Sequence, residues 1–216
     1  MNGFLRIAKL DLFTLKSQYT AYLSLVLIVV MFGFMGSSIT LLGINVAWFI
    51  ALMSSSIFAI QEKNNLDRLY GSVSVGLRDI VLGRYFFVFC NYLVSFLVVI
   101  VTHSGFMFFQ NGVLALEMMD VLIGFSLSFL VFSCITGIQM PLFFKMGYTR
   151  AKILSFIPFI AVMALAVSPY FLPMLSGIVD FLQGNQNTLI IGGILASCMI
   201  QFFSYQAAVV AYRKRR

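Results

Sequence analysis

Gln61 to Phe86 reads QEKNNLDRLYGSVSVGLRDIVLGRYF, the most polar run in an otherwise apolar chain. Glu62, Lys63, Asp67, Arg68, Arg78, Asp79 and Arg84 fall within it. The residues on either side, Ser38–Ile60 and Tyr85–Phe109, carry no Lys, Arg, Asp or Glu at all. A charged connection between two long uncharged stretches is the pattern of a chain that crosses a bilayer, returns to water and crosses again.

The whole composition agrees. The chain has 216 residues, of which 61% are hydrophobic and 10% charged. A soluble domain carries about a quarter charged residues. Spanning a bilayer takes roughly 20 mostly apolar residues in a helix. Six stretches meet that length: Tyr19–Gly36, Ser38–Ile60, Tyr85–Phe109, Val121–Met140, Ile153–Pro173 and Thr188–Tyr212. The expected fold class is an all-α integral membrane protein with six transmembrane helices in a single domain over 1–216. The GFMGSSIT stretch between the first two spans reads either as a tight turn or as a break in a longer pattern.

Charge sets the orientation. Arg6, Lys9 and Lys16 precede the first span. Lys63, Arg68, Arg78 and Arg84 separate the second from the third. Lys145, Arg150 and Lys152 separate the fourth from the fifth, and Arg213 to Arg216 follow the sixth. All 14 basic residues therefore fall on one side, while the opposite connections hold only Glu117, Asp120 and Asp180. The positive-inside rule makes that basic side cytoplasmic, with both termini on it. Leu5, Ala8, Leu12, Leu15 and Tyr19 recur at helical spacing and predict an amphipathic helix over 1–18 lying in the membrane interface. The segment carries Asp11 and no A-x-A cleavage site follows, with Gly36–Ser38 only a weak substitute, so the first span reads as uncleaved.

The same placement disposes of nucleic-acid binding as a reading of the net charge of +7. Basic residues that flank membrane spans do not build the clustered face such binding needs. Cys90, Cys134 and Cys198 all lie in spans and form no C-x-x-C pair, which reads as apolar filling. His103 sits near the outer end of the third span with no acid or nucleophile at helical spacing. No metalloprotease, serine-hydrolase or phosphate-loop motif occurs. The chain is expected to be no enzyme and to hold no cofactor or metal of its own. Pro158 is expected to kink the fifth span or to free a carbonyl there.

Two groups within the spans stand out. Tyr85, Phe89, Tyr92 and Phe96 form an aromatic stripe on the third span. Gly193, Ser197, Gln201 and Ser204 share one face of the sixth, a spacing that lets two membrane helices approach closely. Packing within the chain, a dimer face and a substrate path are all open readings of these groups.

In the opening stretch, Leu66 and Leu69 lie on an apolar edge from Glu62 to Tyr70, and Gly71 to Gly76 breaks the pattern. Leu77, Ile80, Val81 and Tyr85 then make the apolar face of a second helix that runs into the third span, with Arg78, Asp79 and Arg84 turned outward. A helix–break–helix at a membrane surface is suited to docking a soluble partner.

Here the sequence resembles the first cytoplasmic loop of ABC-2 type transporter permeases, in a branch that exports amphipathic peptides and toxins. Glu62-Lys63, Leu66, Leu69, Ser72, Arg78-Asp79-Ile80-Val81 and Arg84-Tyr85 carry the likeness. Ser74 and Leu77 depart from it, standing where a proline and a basic residue are common. The second loop, 141–152, is similar again: PLFFKMGYTRAKI, Pro141 to Ile153, follows the family's P-L-(Y/F)-F-K-x-G-Y-x-K-A-R segment.

The resemblance implies a multi-pass permease of the cell membrane, most naturally a bacterial plasma membrane. It implies a second permease copy or a sister subunit beside it. It also implies two cytosolic ABC ATP-binding subunits beneath, which would bind the ATP and Mg. The first loop, 61–84, would be a coupling helix. The implied ATPase interface comprises Glu62, Lys63, Leu66, Asp67, Arg68, Leu69, Tyr70, Arg78 and Asp79 from the first loop, with Lys145, Tyr148 and Arg150 from the second. A hydrophobic or amphipathic cargo, a peptide ahead of a lipid or drug, is expected to move outward. A substrate-binding subunit of an energy-coupling-factor importer and an intramembrane enzyme are the competing classes. Tight small-molecule binding by the isolated chain would mark the first, and loss of an activity in His103→Ala the second.

Overall fold

The computed structural model describes residues 7, 9, 11, 12, 19–34, 36, 38–64, 66, 76–111, 117–157, 160 and 185–215. Among the described residues six helices stand out: α1 (Tyr19–Phe34), α2 (Ile39–Lys63), α3 (Leu77–Asn111), α4 (Met118–Met146), α5 (Tyr148–Ser155) and α6 (Gln186–Arg215). Among the described residues the secondary structure is all helical. α2, α3, α4 and α6 are long and apolar enough to cross a membrane, and α1 is a shorter apolar helix of 16 residues. This is a multi-pass membrane protein. Six full spans were expected from the sequence; among the described residues four helices are long and apolar enough, with α1 beside them. The expected fifth span, with Pro158, lies mostly outside the described residues.

Within the GFMGSSIT stretch Gly36 is a turn residue. Gly36 adopts φ +73° and its N–H donates to the Gly33 carbonyl at 3.0 Å. Ser38 then caps α2, its hydroxyl accepting from the Leu41 N–H at 3.4 Å. Helix α3 begins at Leu77 and runs on without interruption, as the spacing of its apolar residues required. The second loop is not a loop. Helix α4 continues through Pro141 to Met146, the chain turns at Gly147, and α5 starts at once. Stop signals read from charge mark where apolar solvent ends, not where a helix ends.

Helix α4 is the centre of the bundle, packed chiefly against α6 and α2, with α3 against α2 and α6, and α1 against α2 and α3. Close approach depends on small residues. Gly193 of α6 faces Ser126 of α4 so closely that no Cβ fits without displacing it. The Ser126 hydroxyl donates to the Ile190 carbonyl at 3.1 Å across the same contact. Between α3 and α4 lies an aromatic stack, with Tyr92 and Phe132 rings 4.6 Å apart and nearly parallel. Large apolar side chains remain outside the bundle, among them Phe109, Leu195, Met199 and Phe203. Water would penalise that surface, whereas lipid solvates it.

Candidate functional site

The basic residues of the described helices converge on one end of the bundle. The end of α2, the start of α3, the end of α4, α5 and the end of α6 meet there, together with Asp11. Two polar assemblies organise this end.

The first is built on Arg84. It shares a helical face with Ile80 and Val88, both buried, and is itself fully buried. Its Nε lies 3.7 Å from Asp11 Oδ2, and a terminal nitrogen donates to Gln61 Oε1. Its guanidinium carbon stands 4.6 Å from the centroid of the Phe58 ring and 5.8 Å from that of Phe144. One side chain thus joins the N-terminal segment, α2, α3 and α4. Burial pushes the Asp11 carboxyl up from its ordinary value and the Arg84 guanidinium opposes the shift. The outward placement expected for Arg84 is therefore corrected: it points inward. The reason is that its position follows the apolar i±4 face, and Asp11 and two aromatic rings compensate its charge there.

Of the expected apolar stripe of the N-terminal segment, only the side chain of Leu12 lies among the described residues. Ile7 and Asp11 face inward while Leu12 is 60% exposed. The segment turns Asp11 toward the bundle, where Arg84 receives it. The rest of the stripe lies outside the described residues.

The second assembly is built on Glu62, beyond the apolar part of α2. Its Oε2 accepts the N–H of Tyr148 at 2.6 Å and of Thr149 at 3.1 Å, and its Oε1 accepts the Thr149 hydroxyl. These are the orphan donors of the first turn of α5, met by an anion at a helix N-terminus. The Thr149 hydroxyl, the two amides and the Arg215 charge together hold the Glu62 carboxyl below its ordinary value, against a smaller opposing effect of burial. Gly147 makes the geometry attainable: it sits at φ +77°, and a Cβ there would stand 3.1 Å from Glu62 Oε2. Arg215 closes the assembly by donating to the Phe143 carbonyl at 3.4 Å.

The remaining expected interface residues distribute around these two assemblies. Lys63, Arg78, Lys145 and Arg150 are exposed. Asp79 is half-buried in the first turn of α3, its N–H donating to the Gly76 carbonyl at 3.0 Å. Leu66 is half-buried against the core, and the Tyr148 ring stacks on Phe143 with centroids 6.1 Å apart. Asp67, Arg68, Leu69 and Tyr70 lie outside the described residues.

The aromatic stripe divides. Tyr92 and Phe96 are buried, with the Tyr92 hydroxyl 2.7 Å from that of Ser128. Tyr85 and Phe89 instead line an apolar groove of about 460 Å³ between α3 and α6, with Phe86, Phe129, Cys198, Gln201 and Tyr205. Polar groups at its wall are held: Tyr85 pairs with Ser204 at 2.6 Å, and Gln201 donates to Thr136 at 2.8 Å. Gly193 and Ser197 lie away from the groove, in the α4–α6 contact. His103 is half-buried near the far end of α3. Among the described residues, no cluster of His, Cys, Asp or Glu is arranged to hold a metal.

Sequence reasoning missed Asp11, Gln61, Phe58 and Phe144 as partners of Arg84. The signal was present as the Ile80–Arg84–Val88 spacing, which places an arginine on a buried face and demands a counter-charge.

The family model described as "ABC-2 family transporter protein" matches residues 7–213. No curated protein and no solved structure matches the chain.

Proposed function

Since the chain belongs to the ABC-2 family of transporter proteins, we propose that it is the permease half of an ATP-driven exporter, worked by separate cytosolic ATPase subunits through its first cytoplasmic connection. The observation that carries this reading is the Glu62 carboxylate. It comes from the end of α2 and holds the first turn of α5. A push delivered to the connection after α2 is thereby passed to the connection after α4, and Arg84 passes it on to α3 and the N-terminal segment. Exposed Arg78 and half-buried Asp79, at the start of α3, offer a charged contact for the partner.

The cargo is hydrophobic or amphipathic, with a peptide favoured. The groove beside Tyr85, Phe89 and Gln201 is aromatic, is open toward lipid and carries no charged side chain. It is suited to apolar side chains entering from the bilayer, to which its Phe and Tyr rings offer large apolar contact area. A second permease, identical or a sister chain, completes the transporter.

The test is a mild-detergent pull-down of the tagged chain from its native membranes, read by mass spectrometry, with transport measured alongside. A soluble ATPase is expected with the wild type and not with the Arg78→Glu/Asp79→Arg variant, which still inserts and folds. Normal transport and normal ATPase recovery in that variant would remove the coupling role.

A further inference from the structure

A second groove, of about 440 Å³, runs between the last turns of α4 and α6. Ala207, Val210 and Ala211 form its floor, and Lys145, Lys214 and Gln206 its polar margin. The floor is small and apolar; the two lysines come from different helices yet border one cavity. From Gln206 to Lys214 the groove follows α6 for about 12 Å, at the rise of an α-helix. It therefore starts among the basic residues at the charged end and extends into the apolar part of the bundle. Val210 is 54% exposed, so the floor is open to whatever surrounds the helix.

We propose that this groove is a binding site for an anionic phospholipid, with the headgroup phosphate between Lys145 and Lys214 and an acyl chain along Ala207, Val210 and Ala211. A soluble anion would use the lysines and leave the apolar floor bare. A zwitterionic lipid would cover the floor and gain nothing net from two cations. An anionic lipid satisfies both, and basic pockets between membrane helices at a cytoplasmic surface favour such headgroups. Of the carboxylates at this end, Glu62 has its oxygens taken up by α5 and Thr149, and Asp11 is paired with Arg84. The site rests on the chain spanning a membrane, not on ATPase coupling.

The experiment is native mass spectrometry of the purified full-length chain with equimolar phosphatidylglycerol and phosphatidylcholine of matched acyl chains. Phosphatidylglycerol is expected to be retained in preference. Lys145→Gln/Lys214→Gln should weaken that retention by about thirtyfold, the typical effect of two basic residues at an anionic surface. Arg213→Gln/Lys152→Gln removes the same charge outside the groove and should change it little. Equal retention of both lipids, or equal loss in both double variants, would overturn the site. Displacement of phosphatidylglycerol by millimolar inorganic phosphate would show an anion site without a lipid. Ala207→Trp fills the floor and keeps both lysines: it should expel the lipid. If it instead leaves lipid bound and splits a dimer of the chain, the groove is a permease–permease contact and the proposal fails.

Discussion

Arg84 of α3 and Asp11 of the N-terminal segment form an ion pair at 3.7 Å with both side chains almost wholly buried. Two opposed effects act on such a pair. Removing charges from water is expensive, and mutual attraction offsets that only in part. Burial raises the Asp11 carboxyl and the Arg84 charge opposes the shift. The pair thus specifies where the N-terminal segment sits more than it stabilises the bundle. Removing one partner strands the other. Arg84→Ala is therefore expected to cost about 3–5 kcal/mol and Asp11→Ala a comparable amount, whereas Asp11→Leu/Arg84→Met is expected to come out near neutral. Thermal unfolding in detergent, read as a double-mutant cycle, measures the coupling. Additive losses in the double variant would mean that the two residues act separately.

Glu62 gives a pH dependence with a definite sign. Its carboxyl is held below its ordinary value by the Thr149 hydroxyl, the α5 amides and the Arg215 charge. The folded state thus favours the ionised form. Its contribution is complete above the ordinary carboxylate range, about pH 4, and is lost as the pH falls through the depressed value. The gap in melting temperature between wild type and Glu62→Gln should accordingly be full at pH 7 and close in acid. A gap independent of pH would assign the effect to shape, not charge. Because Glu62 is exposed, solvent screens the interaction and the gap is expected to be small.

Much of this architecture was legible in the sequence, and the failures share a cause. The basic residues predicted one end of the bundle, and the ends of α2, α4 and α6 and the start of α3 do gather there. The continuous helix from Leu77 followed from the spacing of Leu77, Ile80, Val81 and Tyr85. Arg84 was misplaced because charge was allowed to outrank that spacing: Ile80 and Val88 fix its face, and Asp11, 73 positions away in sequence, makes burial tolerable. The bond from Glu62 to α5 could not be read at all. It joins residues 86 and 87 positions apart and depends on a φ of +77° at Gly147. A glycine advertises such a conformation without saying what will occupy the space it leaves.

Gly192 and Gly193 are adjacent and should respond oppositely to enlargement. A side chain at Gly193 meets Ser126 of α4, while a Cβ at Gly192 meets nothing within 4 Å. Gly193→Leu is expected to wedge α4 from α6 at a cost of about 1–3 kcal/mol. Gly192→Leu should leave stability nearly unchanged. Melting temperatures of the two variants in the same detergent decide it. Equal losses would mean that glycine is needed there for some reason other than close packing.

Cys198 allows the groove between α3 and α6 to be tested by adding bulk at a single lining residue. It is exposed and lines the groove, while Cys90 and Cys134 are half-buried elsewhere in the bundle. A membrane-permeant maleimide should therefore modify Cys198 first, as peptide mapping can show. The adduct occupies volume beside Tyr85, Phe89 and Gln201, which line the same groove. If cargo passes through the groove, modification should lower transport several-fold in the wild type and leave Cys198→Ser unaffected. ATPase binding should persist in both, since the charged end is untouched. Transport that survives complete modification of Cys198 would take the groove off the cargo path and leave its aromatic walls as lipid-facing surface.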